Sequence, residues 1–204
     1  MWALSIFGQM GKDDFNMMKI VGEKIMLRDF IESDIADRLR WETINTEWKQ
    51  WDAPWEHEGA GSFDVRIYAR NVRRKINKNK NSNRLRDVMQ ICVNDEKKSH
   101  IGWLSFYYTD KNFNYSRFGK NLTIGISIPE LGARHKGYAT EAWSLYIDYL
   151  QKNGVKEIYT QTWSGNFRVI GLMKKLGFVE RLRKKNIRFV RGFYYDGLTF
   201  ILRK

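Results

Sequence analysis

Apolar residues recur along this chain with two periods, and each switch of period marks a change of element. Alternation with a period of two, rich in branched and aromatic residues, predicts strands over 24–29, 121–128, 156–163, 178–189 and 195–203. It also predicts a hairpin over 87–94 and 100–108, turning at Asn94–Lys98. Spacings of three and four predict helices over 33–43, 62–77, 138–152 and 166–176; Val65, Ala69, Val72 and Ile76 share one side of the second. Gly132 and Gly137 bracket the connection into helix 138–152, and Gly154 ends that helix. Central strands alternate with helices while the hairpins are antiparallel. The expected fold class is therefore α/β in the broad α+β sense: a single domain with one mixed sheet flanked by helices.

Composition changes this picture little. The 204 residues suffice for one domain with a core. No apolar run approaches the ~18 residues of a membrane span, so no membrane partner is expected. Met1–Phe7 is apolar but short, without a basic flank or a small-residue cleavage site, so no signal peptide is expected. Residues 1–16 are expected to be an N-terminal extension, with Met17 or Met18 as alternative starts, and 17–204 the domain. The single cysteine, Cys92, precludes an internal disulfide and fits a reducing, cytoplasmic setting. Inside Val88–Val93 it reads as a core thiol rather than a nucleophile.

Charge changes the picture more. The net charge is +13, and the stretch from Arg66 to Arg86 holds nine Lys or Arg residues and no acidic one. This run reads as a solvated helix face leading into a flexible loop at 77–83, or as a contact for a polyanion such as RNA, the ribosome or a cofactor phosphate. Only Tyr68 interrupts it with an aromatic ring, so it is no stacking platform for single strands.

The candidate chemistry begins at Arg134-His135-Lys136-Gly137-Tyr138-Ala139, between strand 121–128 and the helix that runs on through Thr140. Amides of a first helical turn have no partner within the helix, and the helix dipole adds partial positive charge there. Gly137 allows close backbone approach, and Arg134, His135 and Lys136 add donors. The expected guest is a phosphate or pyrophosphate. The spacing is neither a P-loop nor G-x-G-x-x-G. It fits R-x-x-G-x-A, a form of the (Q/R)-x-x-G-x-(G/A) signature of the GNAT N-acetyltransferases. Downstream, Asn166-Phe167-Arg168-Val169-Ile170-Gly171-Leu172-Met173-Lys174-Lys175-Leu176-Gly177-Phe178 resembles the N-x-R-S-I-x-L-M-x-K-L-G-F stretch of the RimJ/RimL-like branch, the ribosomal-protein N-terminal acetyltransferases. Ile25–Ile35 resembles the opening strand and helix of that branch, and Ile187–Leu202 its closing strands. The resemblance spans roughly 18–204, with the motifs in order.

The resemblance implies a GNAT fold whose central, mostly antiparallel sheet splays between strands 121–128 and 156–163. It implies acetyl-CoA as cosubstrate and no metal. Arg134, His135, Lys136, Gly137, Tyr138, Ala139 and Thr140 would hold the pyrophosphate, and the backbone at Ile126 and Ile128 the pantetheine arm. Asn166 would hold that arm or the entrance of its helix; read from the residues alone it is a helix N-cap. Two positions depart from the pattern. Met173 stands where many members carry a Tyr acid, and Val169 where this branch carries a Ser. Ser164, Tyr138, Tyr146 or bulk water would then protonate the leaving thiolate. Thr123 stands where this branch often holds a carboxylate, so no base is implied there.

The acceptor side is read from Trp41–Glu58, which packs four tryptophans and five carboxylates into 18 residues. Aromatic faces with carboxylates suit a cationic amine, with Asp52 and Glu56 binding or deprotonating it; the other reading is a packing loop with exposed charges. Glu141 reads as compensating the helix dipole, and His135 as facing solvent or phosphate. His57 and His100 form no metal cluster with each other. The expected activity is acetyl transfer from acetyl-CoA to a primary amine by direct attack in a ternary complex. A protein N-terminus, a polyamine and an aminoglycoside-like molecule all fit as acceptor, and a homodimer is compatible. The alternative is a non-catalytic or weakly catalytic module of the same fold, binding RNA or the ribosome through 66–86 or sensing the cofactor.

Overall fold

The computed structural model describes residues 17–58, 61–80 and 82–203; the expected extension at 1–16 lies outside them. The strands are β1 (Lys19–Val21), β2 (Ile25–Arg28), β3 (Val88–Val93), β4 (His100–Thr109), β5 (Asn121–Ser127), β6 (Glu157–Trp163), β7 (Val179–Val190) and β8 (Phe193–Arg203). The helices are α1 (Asp34–Thr43), α2 (Pro54–His57), α3 (Val65–Asn79), α4 (Tyr138–Lys152) and α5 (Phe167–Lys175), with 3-10 turns at Thr46–Gln50 and Leu131–Ala133. The strands form one sheet in the order β1-β2-β3-β4-β5-β6-β8-β7. Neighbours are antiparallel except β5 and β6, which run parallel.

The pleat sorts the side chains onto two faces. Ile25, Leu27, Met89, Ile91, Leu104, Ile124 and Ile158 turn to one face and pack against Trp143, Tyr146, Ile147 and Leu150 of α4. Each such side chain, fully buried, contributes roughly 1.5–3 kcal/mol. The alternate positions turn to α1 and α3 and carry polar groups. Arg28 meets Asp34 through two 2.7 Å hydrogen bonds, and Arg86 meets Asp29 at 2.9 Å. These four residues are buried. Paired charges are the form in which buried ions are tolerated.

Local chemistry sets the helix ends. The Asp64 carboxylate accepts the N–H groups of Arg66 and Ile67 at 2.8 and 3.0 Å, so α3 starts at Val65 rather than at 62. It continues through Asn79, taking up the first part of the expected flexible loop. α5 stops at Gly177, whose φ of +82° closes it: Phe178 N–H donates to Met173 O at 3.0 Å and Gly177 N–H to Lys174 O at 3.1 Å. β1 is only three residues long, too short to show a period. Among the described residues no helix is long and apolar enough to cross a membrane.

One seam in the sheet governs the rest. β5 and β6 pair only at Thr123↔Tyr159 and Ile124↔Thr160. Beyond these pairs the strands part, as the expected fold requires. β5 stays zipped to β4 as far as Trp103↔Ser127, and β6 to β8 as far as Trp163↔Gly197.

Candidate active site

The parted strands open a cleft of about 1280 Å³. Gly125, Ile126, Ser127 and Ile128 wall it on the β5 side, Thr160–Trp163 on the β6 side, and Gly137–Thr140 of α4 close one end. The loop before α4 is wound by two residues with left-handed backbone, His135 (φ +61°) and Gly137 (φ +84°). Gly137 occupies the N-cap position, and no side chain caps the helix. The first-turn amides of Tyr138, Ala139 and Thr140 therefore keep free donor capacity facing the cleft. Arg134 and His135 line the cleft as well, but Lys136 is exposed and does not.

Asn166 serves as N-cap and as clasp. Its Oδ1 accepts the Val169 N–H at 3.2 Å, and its Nδ2 donates to Trp51 O at 3.0 Å. Trp163 Nε1 donates to the same carbonyl at 3.0 Å. The Trp51 ring is held in turn: its Nε1 donates to Glu47 at 2.9 Å, and the Arg168 guanidinium lies 3.9 Å from its centroid. Glu47 also pairs with Arg134 of the α4 loop. That contact, ahead of the Trp51 hydrogen bond, holds the Glu47 carboxyl down at about 2, against the opposing effect of burial. The segment 46–58 is thus strapped across the far end of the cleft: Trp48 is largely buried but still reaches the lining, to which Trp51, Asp52, Trp55 and Glu56 also contribute.

Asp52 is the carboxylate in the most informative place. Its Oδ2 accepts from Ser127 Oγ at 2.9 Å, next to the strand edge left bare by the seam. Water reaches Asp52 through the cleft, yet protein crowds the carboxyl from its other sides. That desolvation, with the Glu56 charge, raises it above the usual carboxylate range against the pull of Ser127 and His57. Tyr107 lies at the base of the cleft and donates to Gln161 Oε1 at 3.1 Å; burial, then the charges of Asp52 and Glu56, push its phenol up to about 12.

Several expected roles move. Ser164 does not line the cleft: its Oγ accepts the Asp196 N–H at 3.0 Å in the turn facing β8. Tyr146 is wholly buried and donates to Arg86 O at 2.8 Å. Of the three proposed hydroxyl acids, Tyr138 alone faces the cleft. Met173 is a core side chain. Glu141 accepts the Lys24 N–H at 3.0 and 3.1 Å, so it anchors the turn between β1 and β2. In the basic run Arg86 is buried, Arg73 pairs with the distant Glu32, and Lys75 with Asp87 just beyond the run, so acidic partners outside the stretch reach it. Cys92 is buried and its thiol is pushed up to about 11, mainly by desolvation. Asp34, Asp37 and His100 approach within 4.8 Å of one another, but Arg28 and Arg40 already engage the carboxylates.

Sequence reasoning missed Ser127, Tyr107, Gln161 and the Trp51 clasp. Ser127 had a signal: alternation along β5 sets it on the face opposite Ile124 and Ile126. The others depend on contacts between segments distant in sequence, for which no local pattern exists.

Comparisons with known proteins agree with this fold. No curated protein sequence matches the chain. Among solved structures, a ribosomal-protein-S5-alanine acetyltransferase from Vibrio fischeri superposes with a TM-score of 0.66 at 17% identity, covering 91% of this chain and 96% of its own. RimL, a ribosomal L7/L12 alpha-N-protein acetyltransferase in complex with coenzyme A, gives 0.66 at 14% identity, over 90% and 96%. The protein yncA from Salmonella typhimurium, with its cofactor acetyl-CoA, gives 0.62 at 16% identity, over 89% and 94%. These likenesses establish the fold. The family follows from the acetyltransferase (GNAT) domain model, which matches residues 24–179, and the chain accordingly belongs to the GNAT acetyltransferases.

Proposed function

We infer that this protein is an acetyl-CoA-dependent N-acetyltransferase acting on a primary amine, with Asp52 as general base. One observation carries the reading. A carboxylate hydrogen-bonded to Ser127 stands at the bare edge of β5, in the same cleft as the uncapped α4 N-terminus. The pyrophosphate would rest on the amides of Gly137–Thr140 with Arg134 and His135 beside it. The pantetheine arm would lie along the unpaired edge near Ile126 and Ile128, in place of a missing strand. The thioester would then end near Ser127, facing Asp52 across the acceptor end.

Asp52 and Glu56, with the Tyr107 ring, make that end favourable to an alkylammonium, while Arg168 and Arg188 already stack on the Trp51 and Trp55 rings. Asp52 removes the ammonium proton, and a carboxyl lifted toward neutrality is better matched to that task than an ordinary one. The amine nitrogen attacks the thioester carbon, the C–S bond breaks, and the second proton, shed by the nitrogen as the amide forms, passes by way of Tyr138 or water to the departing thiolate. The two ribosomal-protein acetyltransferases of similar fold make a protein N-terminus the first amine to try, ahead of a polyamine or an aminoglycoside-like molecule.

The test combines calorimetry with a thiol-release assay over a panel of peptide and polyamine acceptors. Asp52→Asn is expected to keep acetyl-CoA affinity and to lose 10²–10⁴-fold in kcat/KM, the usual contribution of a positioned base. A wild-type rate in that variant would remove Asp52 from the mechanism. Gly137→Val forces a branched residue into a left-handed backbone and should weaken acetyl-CoA binding; unchanged affinity would displace the loop as the phosphate site.

A further inference from the structure

The loop before α4 carries three basic residues, yet it brings little free charge to its own amides. Arg134 is already paired with Glu47 of the strap. Lys136 is exposed and stays outside the cleft lining. His135 is what remains of the three. A further positive charge comes from another element. The Lys24 ammonium, on the turn between β1 and β2, stands 3.7 Å from the point where a Cβ on Gly137 would sit. This side chain is exposed and, among the described residues, pairs with no carboxylate.

The turn that presents Lys24 is held from two sides. On one side both Glu141 oxygens accept the Lys24 N–H, at 3.0 and 3.1 Å. On the other, Asn94, just after β3, donates its N–H to Lys24 O at 2.8 Å and its Nδ2 to Gly22 O at 2.9 Å. The Gly22 N–H closes the turn onto Ile25 O at 2.9 Å. A Cβ on Gly22 would fall 2.2 Å from Glu141 Oε1, so the carboxylate reaches the turn only because Gly22 has no side chain. Glu141 belongs to the first turn of α4, whose amides face the cleft. One helical turn therefore fixes both the free amides and the lysine beside them. With its backbone held, the ordering cost of a contact at the ammonium is confined to one side chain.

An unpaired ammonium beside unpaired amides at a helix N-terminus answers one ligand chemistry, a phosphate. We propose that Lys24 is a phosphate-binding residue of the acetyl-CoA site, its ammonium on the pyrophosphate held by Gly137–Thr140, and that Glu141 is a positioning residue acting through the backbone of the turn. This rests on the reading of that loop as the pyrophosphate site and adds to it a residue from a distant turn. Glu141 directs its charge at a backbone amide rather than at the ammonium, which leaves the lysine charge to the ligand. No pattern along the chain marks the pair: the turn has no period, and Glu141 read alone only compensates the helix dipole.

The test is calorimetry on the full chain with acetyl-CoA and with dephospho-acetyl-CoA, which keeps the pyrophosphate and lacks the 3′-phosphate. Lys24→Met should weaken both by about tenfold, in line with one hydrogen bond to a charged group, and the loss should shrink at high salt. Lys24→Arg should retain most of the affinity. Gly22→Ala changes no charge but pushes Glu141 off the turn; it should weaken binding when Lys24 is present and add nothing to Lys24→Met. Wild-type affinity of Lys24→Met at low salt overturns the proposal, as does a loss confined to the ligand with a 3′-phosphate. So does an affinity loss matched by a fall in Tm, since an exposed side chain should leave the fold unchanged. A Gly22→Ala loss that persists in Lys24→Met removes the positioning role of Glu141. Gly137→Val separates this proposal from the reading beneath it: weaker binding there, with none lost in Lys24→Met, overturns Lys24 alone, whereas no loss in either variant displaces the loop itself.

Discussion

Asp52 couples function to stability with opposite signs. Its carboxyl titrates above the ordinary range in the folded chain, so deprotonation is resisted by the fold. For a group raised in this way, the folded state is favoured while the group is protonated and loses stability as pH climbs past the unfolded value. Water reaching Asp52 through the cleft screens much of this effect, so Asp52→Asn should raise Tm at neutral pH only slightly while it lowers turnover, and the gain should fade in acid; a neutral-pH Tm below wild type would contradict a raised carboxyl. The acid limb of kcat/KM should sit above the usual carboxylate range and vanish in the variant. Asn166 makes a different point. Asn166→Ala removes a cap, at about 1 kcal/mol, and also releases one of the two donors on Trp51 O. A loss in KM for the amine larger than the loss in stability would separate the clasp from the cap. The candidate cap and the candidate base were both legible in the sequence, one from its place before a helical period, the other from its aromatic and acidic surroundings. Ser164 misled because a hydroxyl after a strand gives no sign that a backbone amide 32 residues away will take it.

At the scale of elements, α4, α5 and the central strands follow from their periods, because each has one face in the core and one outside it. The stretch 46–58 resisted such reading. Its short turns have no period of their own, and its place is set by Glu47, Trp51 and Asp52 gripping Arg134, Asn166 and Ser127 from other elements. The loop after α3 behaves likewise. Its basic residues suggested a free surface, yet the Arg86 guanidinium turns inward to Asp29 and to the carbonyls of Asn79, Ser82 and Arg84. Arg86→Ala would leave Asp29 charged inside the fold, which costs about 3–5 kcal/mol. Denaturant midpoints measure it directly, and a loss under 1 kcal/mol would show that water has replaced the guanidinium.

Over the whole molecule, charge is spent on holding distant parts together as well as on the surface. Glu47 joins the strap to the α4 loop, and its carboxyl is depressed from an ordinary 4.5 to about 2. A depressed carboxyl gives its full stabilisation above the unfolded value and loses it as pH falls through the folded one. The strap should therefore loosen between about 4.5 and about 2, seen as rising accessibility of Trp51 to a fluorescence quencher, and Glu47→Gln should flatten that profile. The side chain is 34% exposed, so added salt should shrink the effect.

The seam between β5 and β6 has one more consequence. A strand edge without a partner is a template on which another chain can polymerise, and natural sheets shield theirs. This sheet ends in a three-residue strand on one side and in β7, studded with Arg181, Arg183, Lys184, Lys185 and Arg188, on the other. Its two additional edges lie in the middle, where neither shortness nor charge protects them. They are guarded by the tryptophan strap, so the same clasp that shapes an acceptor pocket also acts as a safeguard against aggregation.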